Sequence, residues 1–176
     1  DRLRASLANP DDPAAGFASD RIEYLVRPSG LSGLVSAVDL VVSRAVLEHV
    51  DDLDATFEDM IRAMRPGATA IHQVDLRSHG LHKSHRLDFL AWSPCLWKWM
   101  YSEKGVPNRW RVDTYRRIVA SLPVEVLEWT STVLATADEV TGIRALLASP
   151  FDVVSDEDLA WLGFWLVMRK RQEACA

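Results

Sequence analysis

The run Val38-Asp39-Leu40-Val41-Val42-Ser43-Arg44-Ala45-Val46-Leu47-Glu48-His49-Val50 decides how this chain is read. Its first five residues are apolar except Asp39 and rich in β-branched side chains, which predicts a strand buried on both faces of a parallel sheet. Ser43-Arg44-Ala45 breaks the run. Asp51-Asp52 then opens a helix whose apolar residues, Leu53, Phe57, Met60, Ile61 and Met64, fall on one face. One of the two aspartates caps it, and acids there suit the helix dipole. Pro66-Gly67 stops the helix, and Thr69–Leu76 predicts a second strand. Together these make a β-α-β unit. In open α/β sheets ligands sit beyond the carboxyl ends of the strands, here Ser43–Val50 and Asp75–His82.

Outward from that unit the pattern continues to alternate. Asp1–Asp20 is polar and aperiodic, a short helix at most, then loop. Ile22–Val26 predicts a strand and Pro28-Ser29-Gly30 a turn. Downstream, Arg77–His85 is a polar loop. Arg86–Lys104 is helical in pattern and aromatic, with Phe89, Trp92, Trp97, Trp99 and Tyr101, and starts anew near Pro94. Gly105-Val106-Pro107-Asn108 reads as a turn. Asp113–Leu122 predicts a helix with Tyr115, Ile118, Val119 and Leu122 inward, ended by Pro123. A strand at Val124–Val133, a helix at Asp138–Leu147, a helix start at Ser155 and a buried strand at Gly163–Arg169 complete the order. Such alternation predicts an α/β sheet with helices on both faces.

Composition narrows the function classes. At 176 residues the chain is one domain's worth, residues 1–176. A net charge of −5 with no basic stripe argues against nucleic acid as a partner. Cys95 and Cys175 form neither a disulfide framework nor a zinc ribbon. No signal peptide is visible and the apolar runs are too short to span a bilayer, so the expected place is the cytoplasm and no membrane partner is expected. Seven tryptophans imply core or a ligand-lined cleft.

Asp39–Val50, a helix of fitting length and then Met64-Arg65-Pro66-Gly67 resemble the second half of a class I S-adenosylmethionine-dependent methyltransferase. In that family a strand running into "vLEHv" is followed by a helix closing on "LkPGG" and a further strand. The resemblance covers Ile22 to Lys170 in order of elements. It implies an incomplete Rossmann-like methyltransferase sheet, closed by Val124–Val133 beside Gly163–Arg169. It also implies S-adenosylmethionine as cofactor and a small-molecule methyl acceptor. Ser43, Arg44, Ala45 and Leu47 would face the cofactor. Asp75, Arg77, Tyr101, Asn108 and Arg109 would line the acceptor side, with His49 or His79 accepting a hydroxyl proton. The alternative for Ser43, Arg44 and His49 is ordinary turn and cap hydrogen bonding.

The family's glycine-rich GxGxG turn and the acid after its second strand are not in this sequence; Gly16, Gly30 and Gly33 do not form that pattern. The two corresponding strands would stand between those of Ile22–Val26 and Val38–Val42. Without them Val38–Val42 is an apolar edge, to be covered by a second copy, another chain or an N-terminal segment. The chain therefore reads as the later part of a longer protein or a truncated form. A non-catalytic methyltransferase-like partner or scaffold is the alternative function. A nicotinamide-dependent dehydrogenase half fits poorly, for want of GxGxxG.

His79, His82 and His85 are spaced by three, with His72 upstream, and Cys95 or Asp75 could complete a zinc set. Gly80 stands between the first two and the spacing is not that of a zinc site, so loop histidines and no metal are expected. Asp39 is expected to bond to neighbouring backbone.

Overall fold

Four strands, β1 (Val38–Arg44), β2 (Met64–Asp75), β3 (Val124–Leu134) and β4 (Trp161–Lys170), form one sheet in the order β1-β2-β4-β3. β1 and β2 are parallel, with Leu40 opposite Thr69 and Ser43 opposite His72. β4 runs antiparallel to both β2 and β3. The sheet is thus mixed, an incomplete Rossmann-like α/β arrangement, and β3 and β4 are the expected closing pair. This computed structural model describes residues 2–18, 20–23, 30–80, 84–101 and 107–172. It divides into two units, Asp1–Gly30 and Leu31–Ala176. The first contains helix α1 (Arg2–Ala5), a 3-10 turn at Pro13–Ala15 and a bridge between Leu7 and Phe17. Ile22 and Glu23 lie in no strand, and the rest of the strand expected there falls outside the described residues.

The crossover from β1 to β2 is helix α2 (Leu53–Ala63). Asp52 is the cap: its carboxylate accepts from the Ala55 N–H at 2.9 Å. The predicted stripe is buried, Leu53, Phe57, Met60 and Ile61 all at 6% exposure or less. β2 starts at Met64, earlier than the expected Thr69. Between its pairings to Val38 and Leu40, β2 advances from Met64 to Thr69, so Pro66-Gly67 occupies a bulge. Gly67 has φ +82° there, open to glycine at no steric cost.

The burial expected for β1 is corrected. Val38 and Val41 pack against the core, whereas Leu40 and Val42 are 58% and 63% exposed. β1 is an edge strand, and among the described residues the face that carries Leu40 and Val42 is left open. Asp39 is corrected too: its carboxylate pairs with the Arg65 guanidinium at 2.6 Å instead of with backbone.

Helix α3 (Pro94–Tyr101) begins at the expected proline, after a 3-10 turn at Asp88–Ala91. Helix α4 (Val112–Ser121) sets Tyr115 between Phe57 and Phe164, with ring centroids 6.4 and 5.1 Å away. Helices α5 (Ala137–Arg144) and α6 (Asp156–Ala160) join a second apolar cluster built on Leu87, Phe89, Leu90, Phe151 and Leu162. A Thr136–Glu139 capping box starts α5, and Ser155 caps α6 by accepting from the Asp158 N–H at 3.1 Å.

Candidate functional site

β1 ends in a turn that sorts three consecutive residues into three environments. Ala45 takes φ +52° while its N–H donates to the Gln73 carbonyl at 3.0 Å, fixing the exit from the sheet. A 3-10 turn, Leu47–His49, follows. Leu47 enters the core at 4% exposure, Glu48 is buried at 1%, and His49 is exposed. Asn108 clamps this turn. Its N–H donates to the Glu48 carbonyl at 2.6 Å, and its side-chain amide donates to the carbonyls of Leu47 and Val50 at 2.9 and 2.8 Å.

The end of β2 brings Asp75, Arg77 and His79 alongside. His79 has φ +52° and Gly80 φ +83°, so the chain reverses through the left-handed region. The turn places His79 Nε2 4.0 Å from Glu48 Oε1 and 3.7 Å from Asp75 Oδ2. The rings of His49 and His79 stand 5.0 Å apart, tilted by 58°. Arg77 forks onto Asp75, Nε to Oδ1 at 2.8 Å. Burial would raise the Asp75 carboxyl, but its hydrogen bonds from Arg77 outweigh that and hold it below the usual value. Glu48 is the opposite case. Burial raises its carboxyl above the ordinary range, more than nearby backbone groups and the two histidines lower it. Neither of its oxygens has a hydrogen-bond partner among the described residues.

Of the cofactor-facing candidates, Arg44 and Ala45 are exposed at the strand end, whereas Ser43 and Leu47 are otherwise engaged. Ser43 Oγ shares a 2.7 Å hydrogen bond with Nδ1 of buried His72, and Leu47 is a core residue. The two base candidates, His49 and His79, are brought together. On the acceptor side Asp75 and Arg77 pair with each other beside them. Asn108 and Arg109 are positioned differently from a lining role. Asn108 serves the turn, and Arg109, 5% exposed with φ +67°, donates to the carbonyls of Phe89 and Trp92 at 3.1 and 2.6 Å. Its guanidinium lies over the rings of Trp97 and Phe151, 4.6 and 4.9 Å from their centroids. The side chain of Tyr101 and all of His82 lie outside the described residues. Glu48 was not singled out by the sequence reading. Its signal was an acid between a core leucine and a histidine at the carboxyl end of a strand. A groove of about 640 Å³ lined by Arg116, Val124, Trp129 and Trp161 shares no residue with this cluster.

Residues 4–128, which include the β-α-β unit and the Glu48–His49–His79 cluster, match the family model described as a methyltransferase domain. The chain belongs to that family. This methyltransferase domain also resembles solved structures. A SAM-dependent methyltransferase of Methanosarcina mazei is 15% identical with a TM-score of 0.52, over 84% of this chain and 66% of that one. An S-adenosylmethionine-dependent methyltransferase of Mesorhizobium loti is 19% identical with a TM-score of 0.46, over 79% of this chain and 66% of that one. This methyltransferase domain thus spans just under two thirds of either protein. No curated protein matches its sequence.

S-adenosylmethionine is the cofactor of this family. In this methyltransferase domain β1 is an edge strand, with Arg44, Ala45 and Val46 exposed at its carboxyl end. Among the described residues no helix is long and apolar enough to cross a membrane.

Proposed function

We propose that this chain is the later part of an S-adenosylmethionine-dependent methyltransferase acting on a small-molecule acceptor. The observation that carries the reading is the meeting of His49 and His79 over buried Glu48, where β1 and β2 end. That is the side of an open α/β sheet on which ligands bind. The cofactor supplies an activated methyl group, so the protein has to align the acceptor, exclude water and take up one proton. His79 is placed for the last task. Its Nε2 faces two carboxylates, and an imidazole can accept a hydroxyl proton while the methyl moves. His49, next to it and exposed, is the second candidate. Arg44 and Ala45 contribute one wall of the cofactor cradle. The glycine-rich wall is supplied by polypeptide outside these residues, which would also cover β1. The expected setting is the cytoplasm.

A second reading, a non-catalytic methyltransferase-like module, is favoured by one observation: β1 leaves Leu40 and Val42 uncovered, an edge suited to a partner. Calorimetric titration of S-adenosylhomocysteine into the 176-residue chain, with sedimentation in the same buffer, separates the two. Saturation at micromolar ligand, weakened in Ala45→Trp, supports the enzyme. A folded sample that takes up no ligand makes these 176 residues a fragment or a partner module, and the enzyme reading then belongs only to a longer parent.

A further inference from the structure

Two imidazoles and a carboxylate converging on one point are a donor set for a divalent transition metal. In this chain Glu48, His49 and His79 each offer a ligand atom, and these atoms all lie within 4.8 Å of one another. Tetrahedral bonds of about 2.0–2.2 Å hold their donors roughly 3.4 Å apart, so small side-chain rotations close the set. The sequence spacing of His79, His82 and His85 is not that of a zinc site and predicts no metal there. The fold instead joins His79 to the turn after β1.

Glu48 distinguishes this cluster from ordinary loop polarity. Its carboxylate is buried, and neither oxygen has a hydrogen-bond partner among the described residues. A carboxylate that has lost its hydration gains from a cation beside it, and Oε1 already faces His79 Nε2 at 4.0 Å. The supports are built in. Asn108 bonds the turn that carries Glu48 and His49, and the positive φ of His79 aims its ring back at that turn. Asp75 Oδ2 lies 3.7 Å from His79 Nε2 and is itself held by Arg77 Nε at 3.1 Å.

We propose that Glu48, His49 and His79 bind a divalent cation of the zinc class, as three protein ligands with a remaining position open to solvent; with the ion bound the ring nitrogens of both histidines are ligands, and the proton-accepting role of either histidine belongs to the ion-free site. The histidines are the exposed members of the cluster, so the ion sits at the mouth with the carboxylate beneath it. Three protein ligands and an open position are the pattern of sites that bind an exchangeable oxygen ligand, in contrast to closed structural zinc sites.

The test is a titration of Zn²⁺ by calorimetry, and of Co²⁺ by its visible absorption, into the 176-residue chain at about neutral pH without cofactor. One equivalent should bind, with Co²⁺ bands of low coordination number. His79→Ala and Glu48→Gln should each weaken binding by about a hundredfold or more, beyond the usual cost of losing an outer partner. His49→Ala alters an exposed residue and carries the same test should Glu48→Gln unfold. Cys95→Ser should leave binding unchanged. A folded chain that binds neither ion, undiminished binding in His79→Ala, or loss in Cys95→Ser would each overturn the assignment. Because no cofactor is present, failure here is distinct from failure to bind S-adenosylhomocysteine.

Discussion

Acid should weaken this fold through one buried imidazole beneath the candidate site. His72 is 1% exposed in β2 and bonds to Ser43 across the β1–β2 pair. Its Nε2 has no hydrogen-bond partner among the described residues. Burial pushes it down from 6.5 to about 4. Between those values the unfolded chain binds a proton that the folded chain does not. The contribution is therefore whole above the unfolded value and is lost as pH falls toward the folded one, at up to about 1.4 kcal/mol per pH unit. Between about pH 7 and pH 5 one such group accounts for about 2 kcal/mol. His72→Asn keeps a polar atom near the Nδ1 position for Ser43 and cannot titrate in this range. Urea unfolding of both proteins at the two pH values is the assay. The variant should be less stable throughout, since it loses ring volume beside Phe57, whose ring centroid is 6.1 Å away. Its further loss on acidification should be about 2 kcal/mol smaller than that of the native chain. Carboxylates titrate in both proteins and cancel in the comparison. Equal acid losses would refute the argument, and with it the neutral imidazole that holds Ser43.

Other substitutions test single elements. Asn108→Ala leaves the Leu47 and Val50 carbonyls without their amide donor and should cost about 2 kcal/mol in urea unfolding, with faster hydrogen exchange in the turn between them. Arg111→Met removes the donor to the carbonyls of Leu76, Leu159 and Trp161 and should cost about 3 kcal/mol by the same assay. Gly163→Ala would set a Cβ 2.7 Å from Thr132 Oγ1 and 3.1 Å from the Val74 carbonyl, a loss of about 1–3 kcal/mol that Thr132→Ala should partly restore. Leu40→Lys with Val42→Lys should change stability by under about 0.5 kcal/mol and reduce self-association in sedimentation; unchanged association would remove β1 as a contact surface.

What the sequence disclosed was governed by range. The stripe of α2 and its Asp52 cap depend on residues within four positions of each other, and both stand as read. β3 and β4 were legible for the same reason: expected at Val124–Val133 and Gly163–Arg169, they run Val124–Leu134 and Trp161–Lys170. β1 read as fully buried because an apolar run looks alike in the middle of a sheet and at its edge; only the neighbouring strands decide. The loop polar residues were harder. Asn108 and Arg109 looked like cleft lining, yet each is directed at carbonyls whose positions only the tertiary fold fixes. Glu48 was hidden by the same ambiguity, since an acid beside a histidine signals nothing until burial removes its water.

The segment Asn108–Arg111 therefore positions a site that its side chains need not touch. Asn108 holds the turn bearing Glu48 and His49, while Arg111, fully buried, holds the Leu76 carbonyl just after β2 and the Trp161 carbonyl at the start of β4. The two strand ends that carry the cluster are thus anchored to one short stretch leading into α4. Carbonyls beyond a strand end have no ladder partner, and a buried one without a donor costs more than a made bond returns. Satisfying them from a single segment couples the two ends: displacement of Asn108 shifts Glu48 and His49, and displacement of Arg111 shifts the exit of β2 toward His79. Substitutions here should accordingly change affinity at the cluster as well as stability, although neither side chain contributes a ligand atom.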